Sequence, residues 1–203
     1  MKILCIGRNY VKHIEELNNQ MPTEPVIFAK PDSALLLKNK PFFIPDFAKE
    51  FHHEVEVVVK INRIGKNIGA QFAHRYYDEL ALGIDFTARD LQSQLKSKGL
   101  PWEKAKAFDG SAVLSSFVSK EKFDDVQSIN FRLDKNNETV QEGNTGHMIY
   151  SIDQIIAHVS QYFTLKIGDL IYTGTPAGVG QVAINDRLKG YIEDEIMFDF
   201  LVK

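Results

Sequence analysis

The chain has 203 residues, 44% of them hydrophobic and 25% charged, with a net charge of −3; this suits one globular domain with a sizeable core and argues against a general nucleic-acid or acidic-membrane surface. Its single cysteine, Cys5, rules out an intrachain disulfide framework and fits a reducing compartment, where it is expected as a small buried apolar residue. No apolar run approaches the ~20 residues that span a bilayer, and the chain opens on KILCIG, not on a charged-then-apolar leader, so a cytoplasmic protein without nucleic-acid or membrane partners is expected.

Residues 2–6 read as a strand ending at Gly7. Asn9 is placed to cap a helix over YVKHIEELNNQ, residues 10–20. PVIFAKP (25–31) reads as a short buried strand, and 33–47 as an irregular stretch punctuated by Pro41 and Pro45. FHHEVEVVVKI (51–61) alternates as one long strand. It puts His53, Val55, Val57, Val59 and Ile61 on one face and His52, Glu54 and Glu56 on the other. The pattern predicts a helix over AHRYYDEL (73–80) and a buried strand over ALGIDF (81–86). A helix through 89–99 follows, capped by Thr87 with Asp90 and closed by Gly99. INFRLDKNNETVQEG (129–143) signals a hairpin about Asn136 and Asn137. Ser151 and Gln154 form a capping box for a helix over 152–163. GDLIYTG (168–174) is a strand entering the loop TGTPAGVG (173–180), and YIEDEIMFDFLVK (191–203) alternates as a half-buried strand. The expected fold class is α+β, strand-rich, in one domain.

Glu54 and Glu56 are like charges on one strand face. A solvated face explains them, and so does a bound cation. Asp85, at the end of an apolar strand, supplies a third carboxylate. Three carboxylates converging in a buried cleft require a positive partner. All-oxygen ligation suits Mg²⁺ first, with Mn²⁺ or Ca²⁺ as alternatives, and suits Zn²⁺ less. Such an ion keeps positions free for a substrate with two adjacent oxygens, such as a 2-oxo acid, and stabilises its enolate. His13 and Glu16, three apart on a helix, are either an exposed pair or an imidazole–carboxylate unit able to deprotonate water. Arg89 and Gln92 follow Asp85 closely, within reach of the same site. Lys106, between alanines, is a surface lysine or a group that binds a carboxylate or polarises a carbonyl. TGTPAGVG, with Thr175, is a tight turn or a set of backbone N–H groups for an anion, without the ending of a phosphate-binding P-loop.

GRNYxxHxxE (7–16), HHEVE (52–56), GIDFTARDLQ (83–92), KGLPWEKAKAFDGS (98–111) and GDLIYTGTPAGVG (168–180) occur in that order. Together they resemble the fumarylacetoacetate hydrolase family, most closely its small acylpyruvase branch, over nearly the whole chain. The resemblance implies a mixed β-sandwich-like roll with a few helices and a homodimer. It implies one catalytic domain over 1–203, with residues 1–20 as an N-terminal strand and lid helix. It assigns Glu54, Glu56 and Asp85 to Mg²⁺ or Mn²⁺ and gives catalytic roles to His13, Glu16 and Lys106. Arg8, Arg89, Gln92 and Thr175 become substrate contacts. The large extra N-terminal domain of the full-length hydrolase has no counterpart here. The expected reaction is hydrolysis of the C–C bond of acylpyruvates (2,4-dioxo acids), with His13, braced by Glu16, activating water. Oxaloacetate decarboxylation, keto–enol tautomerisation and 2-hydroxyhepta-2,4-diene-1,7-dioate isomerisation are the alternatives on the same scaffold. Tautomerisation and isomerisation are not expected to need the water-activating pair.

Overall fold

The structure is a computed structural model that describes residues 1–17, 20–37 and 40–203. The runs VEVVV and LALGI are buried at every position, which suits strands covered on both faces. Val55–Ile61 accordingly lies at the middle of an eight-stranded sheet, antiparallel to Tyr77–Asp85 on one side and to Leu170–Tyr172 on the other. Beyond Leu170–Tyr172 come Ile3–Gly7, parallel to it, and then Val26–Lys30. Beyond Tyr77–Asp85 come Ala112–Leu114 and, parallel to that, Leu35–Leu37. One face sends Val55, Val57, Val59, Leu80, Leu82 and Ile84 into the larger core, with Phe131, Ile156 and Phe198. The other sends Val58 and Ala81 into a smaller core with Ile3, Tyr172 and the buried Cys5. Each fully buried Val or Leu contributes about 1.5–3 kcal/mol.

A four-stranded antiparallel sheet takes the order Glu138–Asn144, Asn130–Lys135, Arg187–Ile192, Glu195–Leu201 and sends Phe131, Leu133 and Phe198 into the larger core. Asn136 and Asn137 turn its first hairpin at φ 56° and 68°, the doubly positive geometry that tight hairpins prefer. Ser151 caps the Ile152–Tyr162 helix in the expected box with Gln154. The architecture is α+β with few helices and curled sheets. No described helix is long and apolar enough to cross a membrane.

Several expectations are corrected. Residues 73–80 are not a helix: the helix covers only Ala70–Ala73, and Tyr77 already pairs with Ile61 in the central sheet. Tertiary pairing overrides the local pattern there. The 51–61 run is two strands, broken at Glu54: Phe51–His53 joins Thr87–Ala88 and Gly180–Gln181 in a separate small sheet. At the break the Gln141 side chain takes the place of a strand partner for Val55 N–H. Asn9 does not cap the Val11–Glu16 helix, because its amide is spent on the backbone of Thr173 and Tyr150. Residues 18–19 of the expected helix lie outside the described residues. Thr87 does not cap Arg89–Ser97 either; it belongs to a strand, while Asp90 accepts from the N–H groups of Leu91 and Lys49. Gly99 does close that helix, at φ 63°. Within 33–47, Leu35–Leu37 forms a strand, and 38–39 fall outside the described residues. The 191–203 tail is a hairpin arm, because Glu193 turns back at φ 47°.

Candidate metal centre

Strand register assembles the three carboxylates. Glu56 lies opposite Gly83, two residues before Asp85, and Asp85 N–H donates to the Glu54 carbonyl at 2.9 Å. Glu56 therefore shares a face with Val58, and Asp85 shares it with Ala81. Glu54 sits in the break between two strands, where its side chain is released from strict alternation. One oxygen from each of the three lies within 4.8 Å of the others, and the residues are only 5%, 1% and 1% exposed.

Like charges this close and this buried need counter-charge. Lys106 Nζ supplies it at 2.9 Å from Glu54 Oε2 and 2.6 Å from Asp85 Oδ2. Lys30 Nζ stands 2.7 Å from Asp85 Oδ1, and Arg89 pairs with Glu54 Oε1. Burial pushes the Glu54 carboxyl up, but Lys106 and Arg89 reverse this and hold it well below the usual carboxylate range. Glu56 goes the other way. Burial, then the charges of Asp85 and Glu54, push it well up, against the Gly174 N–H at 2.7 Å. No ion pair of Glu56 occurs among the described residues. The acidic set thus lacks a positive charge on the Glu56 side, and three hard carboxylate oxygens fit a divalent ion such as Mg²⁺, Mn²⁺ or Ca²⁺.

A cleft opens on the triad. Every residue expected in the site lines it except Glu16, which stands behind His13. His13 Nδ1 lies 3.3 Å from Glu16 Oε2; a carboxylate only accepts, so Nδ1 carries the hydrogen and Nε2 the lone pair. Glu16 is fixed in turn by the Gly178 N–H at 3.0 Å. Burial lowers the His13 pKa, with Glu54 and Glu16 opposing, so the ring is neutral near pH 7. Arg89 Nη1 donates to Gln92 Oε1 at 2.8 Å, which leaves the Gln92 NH₂ as a donor. Lys106 is not a surface lysine: it is 3% exposed and also bonds Thr87 Oγ1 at 2.6 Å. Burial pulls its pKa down, but Asp85 and Glu54 carry it above the usual value, so it stays cationic.

Two buried residues escaped the sequence reading. Lys30 bonds Ser111 Oγ at 3.0 Å and the Lys106 carbonyl as well as pairing with Asp85. Its signal was a lysine closing an apolar strand directly before a proline. Gln141 accepts from Val55 N–H at 3.0 Å and donates to the Pro176 carbonyl at 3.0 Å, so its amide orientation is fixed at both ends. Its Nε2 also donates to Thr175 Oγ1 at 2.9 Å, which leaves the Thr175 hydrogen free to point at a ligand. Its signal was a polar residue at an inward hairpin position, opposite Leu133.

Comparison with known proteins follows the same lines. Residues 2–195 match the family described as fumarylacetoacetate (FAA) hydrolase C-terminal. The mitochondrial oxaloacetate tautomerase FAHD1 of Mus musculus is 43% identical over 201 residues, covering 99% of this chain and 91% of the mouse protein. A mitochondrial oxaloacetate decarboxylase of Dictyostelium discoideum is 37% identical over 206 residues, covering 100% of this chain and 94% of its own. The crystal structure of fumarylpyruvate hydrolase from Pseudomonas aeruginosa, in complex with Mn²⁺ and pyruvate, superposes with a TM-score of 0.93 at 30% identity and covers 100% of this chain and 90% of that one. On its motifs, its fold and its relatives, the chain belongs to the fumarylacetoacetate hydrolase family.

Proposed function

We propose that this chain is a divalent-metal-dependent enzyme that interconverts the keto and enol forms of a small 2-oxo acid, oxaloacetate foremost. The observation that carries this is one cleft in which the buried Glu54–Glu56–Asp85 set faces a cationic lysine and a neutral imidazole. The names of the mouse and Dictyostelium relatives favour chemistry on oxaloacetate over the acylpyruvate hydrolysis expected from sequence. Glu54, Glu56 and Asp85 would hold Mg²⁺ or Mn²⁺, which would supply a Lewis acid for the substrate oxygens. Arg89, Gln92 and Thr175 bind and orient the substrate carboxylate through charge and hydrogen bonds. Lys106, kept protonated, balances charge and is not the base. Against the expectation that this reaction dispenses with the His13–Glu16 pair, His13 Nε2 takes the C3 proton of the keto form and, as the imidazolium, gives it to the C2 oxygen, which completes the enol and returns the neutral ring. Glu16 holds the ring in the tautomer this needs. The Val11–Glu16 helix, which carries His13 and Glu16, acts as the lid.

A second reading is C–C hydrolysis of acylpyruvates, in which His13 takes its proton from water. The His13–Glu16 contact favours it, as does the name of the Pseudomonas relative. One experiment separates the two: enol loss from oxaloacetate, CO₂ release from it and acetylpyruvate cleavage, each with Mg²⁺ and with chelator. Enol loss that is the fastest of the three, is abolished by chelator and falls at least tenfold in His13→Ala supports the proposal. Faster acetylpyruvate cleavage replaces it with the second reading. Turnover indifferent to chelator overturns both.

A further inference from the structure

We propose that Arg8 and Lys96 form a second anion subsite in the same cleft, which binds the distal carboxylate of a 2-oxo dicarboxylate. This rests on reading the cleft as a 2-oxo acid site. The cations around it fall into two groups. Lys30, Lys106 and Arg89 are each paired with Glu54 or Asp85. Arg8 and Lys96 also line the cleft, yet no ion pair of either occurs among the described residues. They are close enough to feel one another: burial, then the charges of Arg8, Arg89 and Lys106, lower the Lys96 pKa to about 8.

The surroundings limit the water that screens these charges, since both residues are only partly exposed. Lys96 is half-buried, with Nζ 5.0 Å from the Trp102 ring centroid, and Trp102 lies 6.2 Å from Phe28. Both rings line the cleft, so the lysine is held against an apolar wall. Arg8 sits at φ 60°, a left-handed backbone conformation that costs a non-glycine residue free energy and is retained where position matters. Two like charges in one cleft, one of them against an aromatic ring, are a poor arrangement for an empty or alkyl-filled pocket. A carboxylate between them removes their repulsion and replaces their lost hydration. A neutral acyl tail does neither. The subsite therefore selects substrates with a negative charge at each end.

The test uses the Mg²⁺-loaded enzyme and compares Lys96→Met, Lys96→Glu and Lys96→Arg with the unaltered protein. The ligands are oxaloacetate, with two carboxylates, and pyruvate, with one. Lys96→Met should raise KM for oxaloacetate about 10- to 100-fold, the weight of one lost charge-assisted contact. Lys96→Glu should raise it further, Lys96→Arg should restore it, and kcat should change much less. Inhibition by pyruvate should stay within about twofold, a comparison that also reports whether each variant is folded. An unchanged oxaloacetate KM, or an equal loss for pyruvate, overturns the subsite alone. If the unaltered enzyme neither turns over oxaloacetate nor binds pyruvate, the reading of the cleft falls and the subsite falls with it.

Discussion

Replacing Gln141 with leucine tests the packing argument behind the site. Gln141 is 1% exposed and bonds four groups from three segments: Val55 N–H, His53 Nδ1, Thr175 Oγ1 and the Pro176 carbonyl. Leucine has nearly the same volume, so no sizeable cavity opens. The histidine and threonine side chains can turn toward new partners. The Val55 N–H and the Pro176 carbonyl belong to buried residues and cannot. Each buried backbone group left unpaired costs about 1–3 kcal/mol, so Gln141→Leu should lose about 2–6 kcal/mol. That is large for one substitution. Urea unfolding followed by far-UV circular dichroism measures it, and the double variant with Thr175→Val should show a coupling of about 0.5–3 kcal/mol. A loss under about 1 kcal/mol, or strict additivity, would refute the claim that this amide joins the hairpin to the cleft.

Asp169 accepts backbone N–H bonds from Lys2 and Lys166, both at 2.8 Å, and the Lys2 ammonium. Burial raises its pKa, but these donors win and hold it below the usual value. Its contribution is therefore present above the unfolded pKa of about 3.9 and fades as pH falls through the lower folded one. Asp169→Asn should cost about 1–3 kcal/mol at pH 7 and progressively less below about pH 4, as read by urea melts across that range. Gly178 has φ 98°, and a Cβ there would stand 2.2 Å from the Val140 carbonyl oxygen. Gly178→Ala should destabilise by about 1–3 kcal/mol or more and lower turnover of the folded fraction, because the Gly178 N–H also anchors Glu16. The homodimer implied by the family resemblance is checked by light scattering, which should return twice the chain mass; the mass of a single chain would remove that expectation.

Features set by a few neighbouring residues were legible in the sequence. The Asn136–Asn137 turn needs only two residues that tolerate positive φ, and the Ser151–Gln154 box needs only its own helix end. AHRYYDEL misled because Asp78 and Glu79 lie along a strand whose pairing partner, 55–61, is outside the local stretch. Alternation over 51–61 gave the faces but not the break at Glu54, which depends on a glutamine more than 80 residues away (a separation of 86). Asn9 and Thr87 have the chemistry of helix caps, yet tertiary partners use their polar groups instead. The candidate site was readable as a set of motifs, and the structure brings those motifs to one cleft. Lys30, Lys96 and Gln141 were not readable, since a lone polar residue declares itself only when its surroundings are known.

Glu54, Glu56 and Asp85 together should hold one divalent cation. Isothermal titration of Mg²⁺ and Mn²⁺ into chelator-stripped protein measures this directly, with Glu56→Gln beside the unaltered chain. One ion should bind per chain, raising the melting temperature as occupancy rises, and Glu56→Gln should weaken binding at least tenfold. No heat and no thermal shift at millimolar metal, or equal affinity in Glu56→Gln, would contradict it.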